Sequence, residues 1–255
     1  MTRRDFLEVS GGTMIAAQPP AGERKTNLFL LQTYYLRNST QMPRVNEFMS
    51  QALLPALTRV HSGPKIFLEG LVAAHMPQFA SIIGFASLGE LQAVSSKLDA
   101  DSEFQKRFAA WEAGAEPPYE HYSQSLLKAA DYCPELAPLP PAPKPRIFEL
   151  RTYHSPTWRQ LKALHRRFAG PEIKIFHRTG VHPILYSETV FGPSMPNLTY
   201  LTPFAGLAER EKAWDAFGAD PEWIKVRRES IEADGQISSV IQIALYRATP
   251  YSPIR

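Results

Sequence analysis

LTYLTPFAGLAEREKAWDAFGADPEWIK, residues Leu198 to Lys225, reads as a strand, a turn, an amphipathic helix and the capped start of another helix. A fainter copy, FASIIGFASLGELQAVSSKLDADSEFQK, runs from Phe79 to Lys106. Phe85/Phe204, Leu88/Leu207, Glu90/Glu209, Asp101/Asp220, Glu103/Glu222 and Lys106/Lys225 all lie 119 residues apart. Extended along the chain without a gap, the same offset gives about twenty identities over about a hundred positions. That spacing is too long for a solenoid. It marks one duplicated unit.

Each copy carries the same order of elements. LFLLQTY (Leu28 to Tyr34) and IFELRTY (Ile147 to Tyr153) suit opening strands. Val45 to Val60 and Arg159 to His177 have helical spacing, broken at Pro55 and at Gly170-Pro171, where a kink is expected. Second strands follow at Ile66 to Leu71 and Leu185 to Phe191, with Glu69 and Glu188 equivalent. Met76-Pro77 and Met195-Pro196 turn the chain into third strands. Leu207 to Phe217 forms a helix with Leu207, Ala208, Trp214 and Phe217 near one face. Asp101 and Asp220 are placed to cap the helix that follows each copy. Ser123 to Tyr132 and Ser238 to Tyr246 supply fourth strands.

Four segments result. Residues 1–26 lie before the first unit, 27–133 form that unit, 134–145 connect, and 146–255 form the second unit. Half of the connector PELAPLPPAPKP is proline, so it should be stiff and reach about 37 Å as a strap; a disordered spacer is the alternative. Thr2-Arg3-Arg4-Asp5-Phe6-Leu7, followed by a weakly apolar run, resembles a twin-arginine export signal, which implies a bacterial protein exported folded to the periplasm or beyond. A disordered basic terminus in a cytoplasmic protein is the alternative.

Composition narrows the functional classes. A formal charge of +3 without a basic, aromatic-laced run gives no expectation of nucleic-acid binding. The apolar run after Arg4 is too short for stable membrane insertion. Cys133 is the single cysteine and is expected to be structural. Seven histidines show no metal-ligand spacing, so no metal is expected.

A βαββαβ unit makes a four-stranded antiparallel sheet with its helices on one face, and the bare face needs cover. Here the residues resemble the NIPSNAP family of the dimeric α/β-barrel superfamily. The resemblance is carried by IFELRTY and by FAGLAEREKAWDAFGADPEW (Phe204 to Trp223), and extends over Leu28 to Ala248 without the strap. Many relatives carry a tryptophan where this chain has Ile83 and Thr202. The resemblance implies an α+β fold: two tandem ferredoxin-like units packed sheet to sheet as an intrachain dimeric α/β barrel. It assigns no activity. The wider superfamily includes small monooxygenases, haem-degrading enzymes and chlorite-dismutase-like proteins, so a cofactor-free or haem-dependent monooxygenase is one alternative, and a purely structural partner protein another. No cofactor is read from the residues themselves. A haem held by one histidine leaves little trace in sequence, and homo-oligomerisation is left open.

Alternation along the first strands supplies ligand-binding candidates. Phe148, Leu150 and Thr152 share one face; Glu149, Arg151 and Tyr153 share the other. The apolar set is expected against the helices and the polar set inside the barrel, joined by Gln32 and Tyr34 of the first unit, with Glu69 and Glu188 nearby. Buried charge must be paired. Either Glu149 and Arg151 satisfy each other, or they border a cavity for an anionic or phenolic ligand. The expected function is binding of a small organic ligand or a protein partner through the barrel.

Overall fold

The computed structural model describes residues 25–255; the twin-arginine-like segment lies outside them. The first unit contains β1 (Leu28–Tyr35), α1 (Gln41–Phe48), α2 (Leu54–Val60), β2 (Lys65–Val72), β3 (Gln78–Phe85), α3 (Leu88–Ala100), α4 (Ser102–Glu112) and β4 (His121–Ala129). The second contains β5 (Ile147–His154), α5 (Trp158–Arg167), α6 (Ile173–Thr179), β6 (Leu185–Phe191), β7 (Asn197–Phe204), α7 (Leu207–Ala219), α8 (Pro221–Asp234) and β8 (Val240–Ala248).

The eight strands close into one barrel in the order β1-β3-β2-β8-β5-β7-β6-β4. Two joints close it, β2 with β8 and β4 with β6, both antiparallel. Their registers repeat the duplication: Leu68 pairs with Ala248, and their equivalents Ser187 and Ala129 pair with each other. Each joint also slips by one residue at the same place, between Gly70 and Val72 and between Thr189 and Phe191. Such bulges bend a strand and favour barrel rims. Here both lie at the same end of the barrel.

The opposite end is packed shut. Phe29, Ile66, Leu68, Phe148, Leu185 and Leu201 are buried on the inward faces of strands from both units. Burying each such side chain stabilises the closed barrel by roughly 1.5–3 kcal/mol. The proline-rich segment lies across this end without helix or strand, and Leu136, Ala137 and Leu139 pack onto the cluster together with Ile254. The backbone N–H of Ala137 donates to the Ile184 carbonyl at 2.8 Å. The strap therefore acts as a lid on the barrel floor.

The first proline-marked break, Met49–Leu53, is a π-helical turn between α1 and α2, whereas the second, Phe168–Glu172, is a kink at Gly170, whose φ of −90° and ψ of −113° are not helical. A wider turn absorbs the backbone bond that Pro55 cannot donate, and Pro171 forces the residue before it out of the helical region. Asp101 and Asp220 cap α4 and α8, Asp101 accepting from the Phe104 amide and Asp220 from those of Glu222 and Trp223. Details at α7, β4 and β8 differ from the sequence expectation, β8 running two residues later than Ser238 to Tyr246. Leu207 is exposed at the start of α7, whose buried residues are Ala213 and Phe217. The chain leaves β4 at Ala129, not Tyr132, because Tyr132 turns away to pack in the second unit's helix layer.

Candidate functional site

Glu149 is fully buried, but on the outer face of β5, under the helices. Its carboxylate accepts from Arg151 Nε at 2.5 Å, Arg210 Nε at 2.8 Å, Arg210 Nη2 at 3.0 Å and Trp214 Nε1 at 2.8 Å. Arg210 and Trp214 belong to α7, one helical turn apart. The Arg151 guanidinium stacks 3.6 Å above the Trp214 ring and donates to the Tyr153 hydroxyl at 3.2 Å, which accepts from Tyr200 at 2.7 Å.

The face assignment made from alternation is thus corrected. Glu149, Arg151 and Tyr153 meet the helices, whereas Phe148, Leu150 and Thr152 point into the barrel. In the first unit Tyr34 packs outward with Phe79, Trp111, Tyr119 and Tyr122. Gln32 lies on that same outer face, across from Ser81 and Gln124. Glu69 accepts from Asn46 of α1 at 2.7 Å. Glu188 stands 3.9 Å from His165 of α5. None of the seven candidates lines the barrel interior. For Glu149 and Arg151 the physical reason is that α7 brings Arg210 and Trp214 down to the sheet, so this stretch of an otherwise apolar helix-facing layer can hold a paired buried charge.

Of the two readings of Glu149 and Arg151, the mutually satisfied pair fits this geometry. It is also peculiar to one unit. The equivalents of Glu149, Arg151, Arg210 and Trp214 are Leu30, Gln32, Leu91 and Ser95. A second buried pair follows the same rule: Arg167 Nε donates to Glu172 at 2.6 Å, where the first unit has Phe48 and Leu53. Burial pushes the Glu172 carboxyl up to about 7, opposed by Arg167.

The barrel interior holds the concave site. At the bulged end a cavity of about 490 Å³ opens between the two units. Its apolar floor is Leu31, Leu127, Leu150 and Tyr246. Its polar walls come from Thr33, Ser123 and Ser125 on the first unit and Thr152, Thr189, Asn197, Thr199 and Gln242 on the second. Loops around Ala74-His75 and Pro193-Ser194 form the rim. Among the described residues the lining contains no Lys, Arg, Asp or Glu. The site sits on the internal repeat: Leu31/Leu150 and Thr33/Thr152 are identical pairs at the 119-residue offset. Leu30/Glu149 and Gln32/Arg151 on the outer face diverge, but the outer pairs Tyr34/Tyr153 and Glu69/Glu188 are identical too, so identity at the offset does not by itself separate the inner face from the outer one.

This lining does not fit a haem. It offers no cation for propionate groups, and its imidazole, His75, is packed edge-on to Tyr35 and His121, with ring centroids 5.2 and 5.9 Å away. The sheet–helix layer of the second unit is filled by Phe168, Phe176, Tyr186 and Tyr200, all buried. Among the described residues no group of three or more His, Cys, Asp or Glu is placed to hold a metal ion, and no helix is long and apolar enough to cross a membrane.

The fold has solved counterparts. An anthrone oxidase-like protein is 12% identical, with 88% of this chain and 92% of that one covered and a TM-score of 0.56. A putative monooxygenase from Lactobacillus acidophilus is 12% identical, covering 88% and 94%, TM-score 0.52. A mutant chlorite dismutase from Candidatus Nitrospira defluvii is 8% identical, covering 89% and 94%, TM-score 0.50. At such identities the likeness is one of fold. No curated protein matches the chain. The NIPSNAP family model matches residues 148–253, and that span is the second unit of what is, as a whole, a dimeric α/β barrel.

Proposed function

We propose that the chain binds a small organic molecule in the open end of its barrel. One observation carries this reading: a cavity of about 490 Å³ lies where the two units meet, with an apolar floor and uncharged polar walls. Mostly apolar pockets with a few placed polar groups are the usual form of a small-molecule site. A charged ligand would enter without a counter-charge, so a neutral one is favoured. The outer network around Arg151 is paired internally, the guanidinium donating to Glu149 and Tyr153.

Ala244 faces the cavity beside Leu150 and is only half-buried. Ala244→Trp should fill the site and abolish the thermal stabilisation that neutral, hydroxylated aromatic probes confer on the unmodified chain. An unchanged stabilisation in that variant would refute the site.

The oxygenase alternative is compatible with the fold and turns on His75, the imidazole in the lining able to take a proton from a bound substrate. On that reading His75→Ala lowers oxygen consumption at least tenfold with bound substrate; unchanged consumption removes His75 from it. Export to the periplasm is a separate proposal, resting on Arg3-Arg4. Arg3→Lys with Arg4→Lys should hold the protein in the cytoplasm, and normal export would contradict it.

A further inference from the structure

Hydrogen-bond direction in the cavity wall sets the chemistry of what binds there. Asn197 is almost fully buried, and its amide orientation is fixed by its neighbours. One end of that amide faces the carbonyl of Ser194 at 2.8 Å and that of Pro193 at 3.4 Å. A carbonyl only accepts, so this end is the NH₂ group, and Oδ1 faces the other way. There it lies 2.8 Å from Thr189 Oγ1 and 3.0 Å from Thr199 Oγ1. Each threonine must therefore donate to it.

The next link follows by proton count. A hydroxyl has one proton and two lone pairs. Thr199 gives its proton to Asn197, so in the 3.0 Å contact between Thr152 and Thr199 the donor must be Thr152. All three protons point into the wall. What Thr152, Thr189 and Thr199 turn to the cavity are lone pairs. The first unit has no counterpart to this relay at two of its positions, because Thr189 and Thr199 correspond to Gly70 and Ala80. Across the cavity, Ser123 and Ser125 are freer to donate or accept, although Ser123 lies 3.4 Å from the Tyr35 hydroxyl.

We infer that this cavity selects a neutral ligand that presents a hydrogen-bond donor to the Thr152–Thr199 wall and an apolar ring to the leucine floor: a hydroxylated aromatic compound. This rests on the reading of the cavity as a ligand site. An ether or ketone oxygen turned to the Thr152–Thr199 wall would set acceptor against acceptor there. Its donors would have to come from Ser123 and Ser125 across the cavity or from the Gln242 amide beside Thr152, so discrimination rests on the ligand keeping its polar group on the threonine wall. A carboxylate is disfavoured twice, by its charge and by its lack of a donor.

The test is an equilibrium titration of the full chain with naphthol, its methyl ether and naphthoate. Naphthol should bind, and the ether and naphthoate at least tenfold more weakly. Thr152→Val should weaken naphthol at least fivefold without altering the ether, and Thr152→Ser should restore it. Thermal melts of both variants check that they are folded. Equal binding of naphthol and its ether would overturn the donor requirement and leave the cavity site standing. Tighter naphthoate would overturn neutrality, and naphthol binding unaffected by Thr152→Val would overturn the assigned wall. If no probe binds, the cavity reading falls and this inference with it.

Discussion

Glu149 receives four hydrogen bonds from three side chains while carrying no solvent-exposed surface. Removing the carboxylate leaves two guanidinium groups facing each other without an anion. Glu149→Ala should destabilise the chain by about 3–5 kcal/mol in urea unfolding. Replacing the set by its first-unit counterparts, Glu149→Leu with Arg151→Gln, Arg210→Leu and Trp214→Ser, should cost less than the single change. A larger loss in the fourfold variant would contradict the view that the network is self-contained. Glu172 gives a pH signature. Its folded-state carboxyl holds a proton up to about 7, above the ordinary 4.5, so between those values the folded chain binds more protons than the unfolded one. Stability from this group is present below pH ~4.5 and is lost as pH rises through ~7. Glu172→Gln should flatten that part of the Tm–pH curve; parallel curves would refute it. A pairing of Glu149 with Arg151 was legible in sequence as one of two readings, but the face they occupy was not, and Glu172 with Arg167 gave no signal. Alternation assigns residues to two faces without saying which face the helices cover, and Arg210, which settles the question, looks in sequence like one more surface charge.

At the scale of elements, the strap and the two helix breaks were marked by proline, and proline acts locally enough to be read without coordinates. What the strap touches was not legible. Leu136 and Leu139 look like spacers among prolines, yet both pack on the barrel floor. Leu136→Ala with Leu139→Ala should lower stability by about 2–4 kcal/mol, less than for fully buried leucines because both retain some exposure. A loss below about 0.5 kcal/mol, as expected of surface changes, would show that the segment only spans. Strand positions were read to within about two or three residues at the β4 and β8 ends, where tertiary packing of Tyr132 and the turn before Val240 sets the limit.

For the whole molecule, duplication and α+β class followed from one offset, because each unit's bare sheet face can be covered by the other. The cavity did not follow from it. Thr152, Thr189, Asn197 and Thr199 come from three strands and converge only through the β5–β7 and β6–β7 registers. Hydroxyls scattered over forty-odd residues carry no spacing signal of their own. Closure of the barrel should also make unfolding indivisible, since separating the units exposes an interior worth on the order of 10 kcal/mol, comparable to the whole stability of a domain. A single cooperative transition is expected by calorimetry, and two resolved transitions would contradict it. Ligand binding is proposed inside the barrel and structural support outside it. The most direct measurement is naphthol affinity in Ala244→Trp beside Arg151→Gln: the first should lose at least tenfold and the second stay within about twofold. Retained binding in Ala244→Trp, with loss in Arg151→Gln, would move the site to the outer face and contradict the account.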